Sequence, residues 1–431
     1  MALPVLDAVF ASSADLPRRQ LLSKWLVEQS GSGSIDEFCT LPERYLYAKI
    51  AVSLGGPRTE QEYIELPKSY AWSDIYGAII FNRSAPAAPS SLTLTPLTSS
   101  SIKLDWVTNG ASVAYSVERS VDGAAFQVIG TTAIGATTAT NTGLNIASNY
   151  QYRIRGSSGG FFTGYSNTAS SVYDTNASSF INAVVSTGAT VTGAQITAIN
   201  NFYVNAKSQG YYSSIKRLYL PIWGAAAANA IDMISLTSGT FFGGVTHGSG
   251  YIQGNGSTGY FDTGTSSTPP LLGMNNSNAA LMVLMTNASG TSIPIGSRTP
   301  SISANNRLQI NTFGLTQSAM PTNTVGGVNM PDYDLDGIFI AGLTATNSRY
   351  LHRRRTAGVT LVTSSTNDTE TLSTDRPFIL ARNSGGTADI FNSVIRVGVA
   401  GFGTAIQQDD AANLSTNIKS LWETCTGLTL P

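Results

Sequence analysis

The stretch Gly250–Gly264, GYIQGNGSTGYFDTG, decides how the second half of this chain folds. Two short runs, Tyr251-Ile252 and Tyr260-Phe261, carry aromatic and β-branched residues that suit a pleated, half-buried surface. Between them stands Gly254-Asn255-Gly256-Ser257-Thr258-Gly259, where Gly and Asn take positive φ cheaply. Strand, small-residue turn, strand is the signature of a β-hairpin or β-arch. A β-rich domain built outward from this turn is expected.

The whole chain agrees with that start. At 431 residues it exceeds one ordinary core, so two or three domains are expected. Only 12% of residues are charged, against about 25% in a typical soluble domain, and Gly, Ser, Thr and Asn fill the difference. Such a surface fits extracellular and virion β-proteins better than intracellular metabolic enzymes. A net charge of −1 gives no reason to expect nucleic acid or an anionic membrane as partner. Cys39 and Cys425, the two cysteines, are expected in separate domains as small buried apolar residues. The opening MALPVLDAVFASSADLPRRQ has no basic segment ahead of an apolar one, so no secretory signal is read. No run of about 18 apolar residues occurs, so no membrane span is expected.

Residues 1–82 hold 10 acidic and 7 basic residues and read as a small, mostly helical domain. Asp15 precedes Leu16-Pro17 as a helix cap, and Leu21, Leu22, Trp25 and Leu26 form one apolar face. Leu41–Leu54 reads as a second helix, stopped by Gly55-Gly56-Pro57. Aromatic residues are dense here. They fill the domain's own core, or some of them, with Trp25, Tyr45, Trp72 and Tyr76 as the candidates, anchor it to another subunit. A Pro/Ala/Ser linker, RSAPAAPS, covers 83–90.

Residues 91–173 read as seven short strands with turn signals every 8–12 residues, the pattern of a sandwich. Trp106, in the alternation Ile102, Leu104, Trp106, takes the buried indole position. Leu144 followed by Tyr150-x-Tyr152-x-Ile154, and then Gly164-Tyr165-Ser166-Asn167, resembles the fibronectin type III family across 86–173. That resemblance implies a rigid spacer or adhesive module without catalysis.

Residues 174–431 open on a capping box, Thr192 with Gln195, starting a helix that runs to about Lys207. A buried strand is expected at Ile215–Trp223, and further strands at 279–285, 307–313, 336–343, 349–351, 358–362, 377–382 and 395–402. Asp409 or Asp410 is expected to cap a final helix whose Ala412, Ile418, Leu421 and Trp422 face inward. The G-N-G-S-T-G-Y turn, the lead-in LYLPIWG, and FILARN followed by VGVAGFG resemble concanavalin-like (laminin-G-like) jelly-roll domains. Such domains occur in phage fibre proteins and carbohydrate-binding modules. The fold class expected is therefore mainly β and multidomain: a small helical N-terminal domain, a fibronectin type III sandwich, and a jelly-roll with flanking helices.

Candidate chemistry is sparse. Asp332-Tyr-Asp334-Leu-Asp336-Gly337 opens like a Ca²⁺ loop, which makes these carboxylates the candidate cation ligands. The twelfth position, where such a loop needs a bidentate Glu, is Leu343, and Ile338-Phe339-Ile340 continues as a strand. The run His352-Arg353-Arg354-Arg355 reads as a strand end with solvated side chains, or as a patch for phosphate or acidic sugar. His247 and His352 are the two histidines, too few for a multi-His zinc site. No E-x-D-x-x-E string of a jelly-roll glycosidase occurs, so no enzyme and no catalytic residue is expected. Tyr211, Tyr212, Phe241, Phe242, Tyr251, Tyr260 and Trp223 form the pool of sugar-stacking candidates, most of them expected in the core.

The functional expectation is a structural protein of a phage virion, a fibre or appendage. Residues 1–82 would bind other virion proteins, whether capsid, portal or tail. The sandwich would be the spacer, and the jelly-roll would meet a host surface glycan. A homo-oligomer, a trimer, is what such fibres imply. The alternative is a secreted bacterial carbohydrate-binding adhesin or an accessory module of a polysaccharide-degrading system.

Overall fold

The computed structural model describes residues 87–431 except 109–112, 159–160, 289–291, 301–304, 314–315, 320–327, 331–334, 366–371 and 392–393. The expected helical domain 1–82 lies outside the described residues. The chain divides into two compact units.

In the first unit, alternating apolar residues build eight strands: β1 (Ser90–Thr98), β2 (Ser101–Val107), β3 (Ala114–Val121), β4 (Gln127–Thr131), β5 (Thr138–Thr142), β6 (Tyr150–Ser158), β7 (Phe161–Tyr165) and β8 (Ala169–Ser171). Sheet order is β1-β2-β5 against β4-β3-β6-β7, with β8 also on β6. Seven strands were expected; the last one is split, because Tyr165–Asn167 leaves the ladder to make a tie. Asn167 accepts from the Leu92 N–H at 2.8 Å and donates to the Leu92 carbonyl at 2.9 Å, a side-chain substitute for a strand neighbour. Trp106 is buried between the sheets, edge-on to Tyr115 with ring centroids 5.4 Å apart. Tyr152 is fully buried, and its hydroxyl donates to Asn141 at 2.9 Å.

The second unit, which includes Tyr173–Pro431, begins with two helices. These are α1 (Thr175–Ser186), capped by Asp174, and α2 (Gly193–Ser208), opened by the expected Thr192–Gln195 capping box. No helix was expected at α1. The strand β9 (Ile215–Tyr219) and the short helix α3 (Ala226–Asn229) follow. Asp232 then closes a tight loop. Its buried carboxylate accepts from the N–H groups of Leu218, Ile234 and Ser235 and lies 3.6 Å from Arg217. Burial raises its pKa.

Sixteen further strands complete the unit: β10 (Thr240–Phe242), β11 (Thr246–Gly248), β12 (Tyr251–Gln253), β13 (Tyr260–Asp262), β14 (Ala279–Thr286), β15 (Ser292–Pro300), β16 (Asn305–Phe313), β17 (Thr316–Ala319), β18 (Val328–Met330), β19 (Gly337–Ala345), β20 (Ser348–Arg355), β21 (Gly358–Ser364), β22 (Phe378–Ile379), β23 (Arg382–Ser384), β24 (Thr387–Asp389) and β25 (Arg396–Gly403). The helix α4 (Gln408–Thr426) ends the fold. One sheet runs β11-β12-β25-β14-β19-β20-β21, with β9 added on β25. The other runs β10-β13-β22-β15-β16-β17-β18, with β23 and β24 attached. The two form a jelly-roll-like sandwich.

Three layers explain why the central strands are apolar without alternation. Ala279, Leu281, Val283 and Met285 of β14 enter the core between the sheets. Ala280, Met282 and Leu284 enter a second core against the helices, with Phe180, Ile199, Phe202, Leu414, Ile418 and Trp422. A strand buried on both faces reads as a continuous apolar run. The helix α4 differs from expectation in detail. Gln407 is its N-cap without a side-chain bond, Asp409 and Asp410 sit in the first turn, where the helix dipole favours them, and Ala411 rather than Ala412 is buried. The expected strand 377–382 breaks into β22 and β23 at Leu380, whose φ is +68°.

The basic run is buried at its start, His352 and Arg353, and half-buried at Arg354 and Arg355, rather than solvated throughout. Arg349, His352 and Arg353 are 1–2% exposed. In β20, Arg349, Leu351 and Arg353 pair with Leu343, Ala341 and Phe339, which belong to the inter-sheet core, so they share that face. Tyr350, His352 and Arg354 take the helix side. The Tyr350 hydroxyl donates to the Ile406 carbonyl at 2.6 Å, and His352 Nε2 and Arg354 Nε both reach the Ser415 hydroxyl of α4 at 2.8 Å.

Candidate functional site

The quoted turn is an arch, not a hairpin. β12 pairs with β11 and β25 in one sheet, whereas β13 pairs with β10 and β22 in the other. Residues 240–262 are therefore two nested arches stacked backbone to backbone. A Cβ on Gly243, whose φ is +61°, would stand 2.2 Å from the Thr258 carbonyl oxygen, so only glycine fits. Asn255 fixes the outer turn: its Oδ1 accepts from the N–H groups of Ser257, Thr258 and Gly259 at 2.9–3.1 Å.

This arch sets the face that β13 shows. Phe261 points into the core, so its neighbours Tyr260 and Asp262 point out of the sandwich. Phe242 stands opposite Tyr260 in the ladder, and Phe378 stands opposite Asp262. The rings of Phe242 and Tyr260 stack at 5.0 Å with 13° between planes. Those of Tyr260 and Phe378 follow at 4.8 Å and 27°, and Phe391 lies 6.1 Å from Tyr260. Exposure grades along the stack: Phe242 is 42% exposed, Tyr260 half-buried and Phe378 buried. Beside the rings, Arg376 holds Asp262 with two bonds of 2.5 and 2.6 Å, a bidentate pair. Burial first, and then the Asp262 charge, raises the Tyr260 phenol. The hydrogen bond to Asp262 raises the Arg376 guanidinium. Tyr260 lies ring to ring between Phe242 and buried Phe378, so the open apolar face is that of Phe242; with a fixed donor–acceptor pair beside the stack, it suits a ligand with one apolar face and a hydroxylated rim.

Of the stacking pool, Phe242 and Tyr260 lie on this face. Tyr211 is buried, and Phe241 packs on Phe261 at 4.4 Å against the core. Tyr212 and Trp223 pack against the helix-side core. Tyr251 lies on the other sheet. Sequence reasoning missed Asp262, Arg376, Phe378 and Phe391. The alternation Tyr260-Phe261-Asp262 puts Tyr and Asp on one face, but nothing local joins them to Arg376, 114 residues on.

The other candidates take structural positions or lie outside the described residues. Asp332 and Asp334 are outside them. Asp336 is inside, and its carboxylate accepts from the Ala288 N–H at 2.8 Å. Among the described residues no cluster of three or more His, Cys, Asp or Glu is placed to hold a metal. Trp25, Tyr45, Trp72, Tyr76 and Cys39 are outside. Cys425 is a buried free thiol, pushed up to about 12 by burial. His247 bonds to Asn229 at 3.0 Å. No described helix is long and apolar enough to cross a membrane.

The first unit carries its own charged face. Glu118, nearly buried, is held by Arg153 at 2.8 Å, by Arg155 at 3.4 Å and by the Tyr165 hydroxyl at 3.0 Å. Phe126, Arg153, Tyr165, Arg155 and Phe162 alternate as a cation–π ladder over it, with the closest approach 3.8 Å. Both cations are thus spoken for within the fold.

Comparison with known proteins settles this unit. The family model for the fibronectin type III domain matches residues 87–172. Residues 87–172 form a fibronectin type III domain. Solved structures matching over the same part include a Fn3-like protein from Clostridium thermocellum, 30% identical, covering 20% of this chain and 92% of that one with a TM-score of 0.19. The sixth such domain of human fibronectin type III domain containing protein 3 is 19% identical, covering 21% and 87% with a TM-score of 0.19. Titin kinase with its flanking domains is 17% identical with a TM-score of 0.20; the match covers 24% of this chain and spans a fifth of that longer chain. No curated protein matches the chain.

Proposed function

We propose that this protein is a structural, non-enzymatic component of a phage virion. In this reading its fibronectin type III domain is a spacer, and its second unit is a concanavalin-like head that binds a host surface glycan. The observation that supports it most is the graded aromatic stack Phe242–Tyr260–Phe378 beside the Asp262–Arg376 pair. Sugars with an apolar ring face stack on exposed aromatic rings while paired polar groups take the hydroxyls. The sparse charge of the chain, 12%, supports an exterior setting. Residues 1–82 are the proposed anchor to capsid, portal or tail, with Trp25, Tyr45, Trp72 and Tyr76 at the contact. A trimer would multiply weak single-site contacts through copy number.

A glycan array probed with the full chain and with Tyr260→Ala tests the head. Binding to at least one glycan class that falls roughly tenfold or more in the variant is expected, in line with the cost of losing an aromatic anchor. Equal binding by both proteins would overturn the assignment. For the anchor, particles assembled with a chain lacking 1–82 should contain none of it; normal incorporation would refute that role.

A further inference from the structure

We propose that a second site, on the opposite sheet, takes the carboxylate of an acidic sugar, with Arg396 as its anion-binding group. The outer face of this sheet is covered by helices over most of its area, but its β11-β12-β25-β14 end carries a polar row instead. Thr246 pairs with Gln253, Gln253 with Arg396, and Arg396 with Thr286, so the four side chains share one face across four strands. At about 4.8 Å per strand, the row is roughly 14 Å long. Thr246 is exposed, and the other three are half-buried.

Arg396 is prepared for a planar anion. Its guanidinium carbon lies 4.4 Å from the centre of the Tyr251 ring, and its Nε donates to Gln253 Oε1 at 3.3 Å. The Tyr251 ring is seated in turn by Gly248, where a Cβ would stand 2.4 Å from the ring. The hairpin turn below is held by Trp422, whose indole N–H donates to the Gly250 carbonyl at 2.8 Å. Stacking fixes the plane of the guanidinium, so its two terminal nitrogens point as a fork with little rotamer entropy left to lose.

Among the described residues the fork has no acid of its own. Arg153, Arg376 and Arg382 each grip a carboxylate at 2.5–2.8 Å. Among the described residues none lies within ion-pair distance of Arg396. The nearest candidate by register is Asp336, next to Gly337, which pairs with Met285; its carboxylate is occupied by the Ala288 N–H. The hydroxyls of Thr246 and Thr286 make no side-chain hydrogen bond among the described residues. An oriented guanidinium fork with the Thr286 hydroxyl on the next strand, the Tyr251 ring beneath it and the Thr246 hydroxyl two strands along the row matches a pyranose bearing a carboxylate. A simple inorganic anion would leave the row beyond Arg396 unused.

The test is titration calorimetry on the full chain with methyl β-glucuronide, methyl β-glucoside and inorganic phosphate. The glucuronide is expected to bind roughly tenfold more tightly than the glucoside, the scale of one charge-assisted bidentate contact. Arg396→Gln should abolish that preference, and Arg396→Lys, which keeps the charge and loses the fork, should lose most of it. Thr286→Val should weaken both sugars, and circular dichroism of each variant confirms that the fold is kept. An unchanged preference in Arg396→Gln, no glucuronide binding, or phosphate binding as tight as the glucuronide would each overturn the proposal. It stands apart from the aromatic stack: Tyr260→Ala should leave glucuronide binding unaltered, so the two sites fail separately.

Discussion

Acid should loosen the helical layer through His352. This imidazole is 2% exposed between β20 and α4, bonded to the Ser415 hydroxyl, and burial followed by the Arg354 charge depresses its pKa from 6.5 to about 4. The charged groups facing this seam are Arg354, which also bonds Ser415, and Asp410, whose charge reaches Tyr350 two residues away. A folded pKa below the unfolded value means the unfolded chain takes the proton first. The contribution of His352 is therefore complete above pH 6.5, erodes as pH falls, and is lost once the pH passes below about 4. A shift from 6.5 to about 4 corresponds to roughly 3 kcal/mol, of which about 2 is gone by pH 5. The perturbation to compare is His352→Gln, which keeps a polar contact to Ser415 and cannot titrate. Urea unfolding followed by tryptophan fluorescence at pH 7, 6, 5 and 4 gives the slope for each protein. Trp422 on α4 reports the layer directly, being buried with its indole bonded to Gly250. The difference between the two slopes isolates His352 from the carboxylates that titrate nearby. Parallel curves for wild type and His352→Gln would refute the reasoning.

Three further outcomes follow from packing. Gly342→Ala places a Cβ 2.2 Å from the Tyr350 ring and should cost about 1–3 kcal/mol, read as a lower melting temperature. Asp232→Ala removes the partner of buried Arg217 and the acceptor for three backbone N–H groups; a loss of about 3–5 kcal/mol in urea unfolding is expected. Trp106→Ala empties the centre of the fibronectin type III core and should lower its unfolding free energy by about 3–5 kcal/mol, measured on the sandwich transition by calorimetry.

Local chemistry made much of the architecture readable. The Thr192–Gln195 box announces α2, and the glycine-rich turn announces the arch, because each depends on neighbours in sequence. The helix α1 escaped notice although Asp174 caps it and Phe180, Ile181 and Val184 are spaced to face the core. Its Ser and Asn content resembles the loops around it. The basic run misled for a different reason. Charge suggested solvent, while Tyr350 and Leu351 on alternate faces of the same strand signal a position buried from both sides. Partners across the fold left no trace. Asp262 and Arg376 are 114 residues apart and Gln253 and Arg396 are 143, and only strand register brings them together.

The nested arches also bear on how the second unit yields to force. One strap of chain, residues 240–262, donates border strands to both sheets. Neither layer can slide along the other without tearing backbone bonds in each, so tension applied to one is shared at once with its companion. The same short segment thus sets the aromatic surface at one end and latches the sandwich shut behind it.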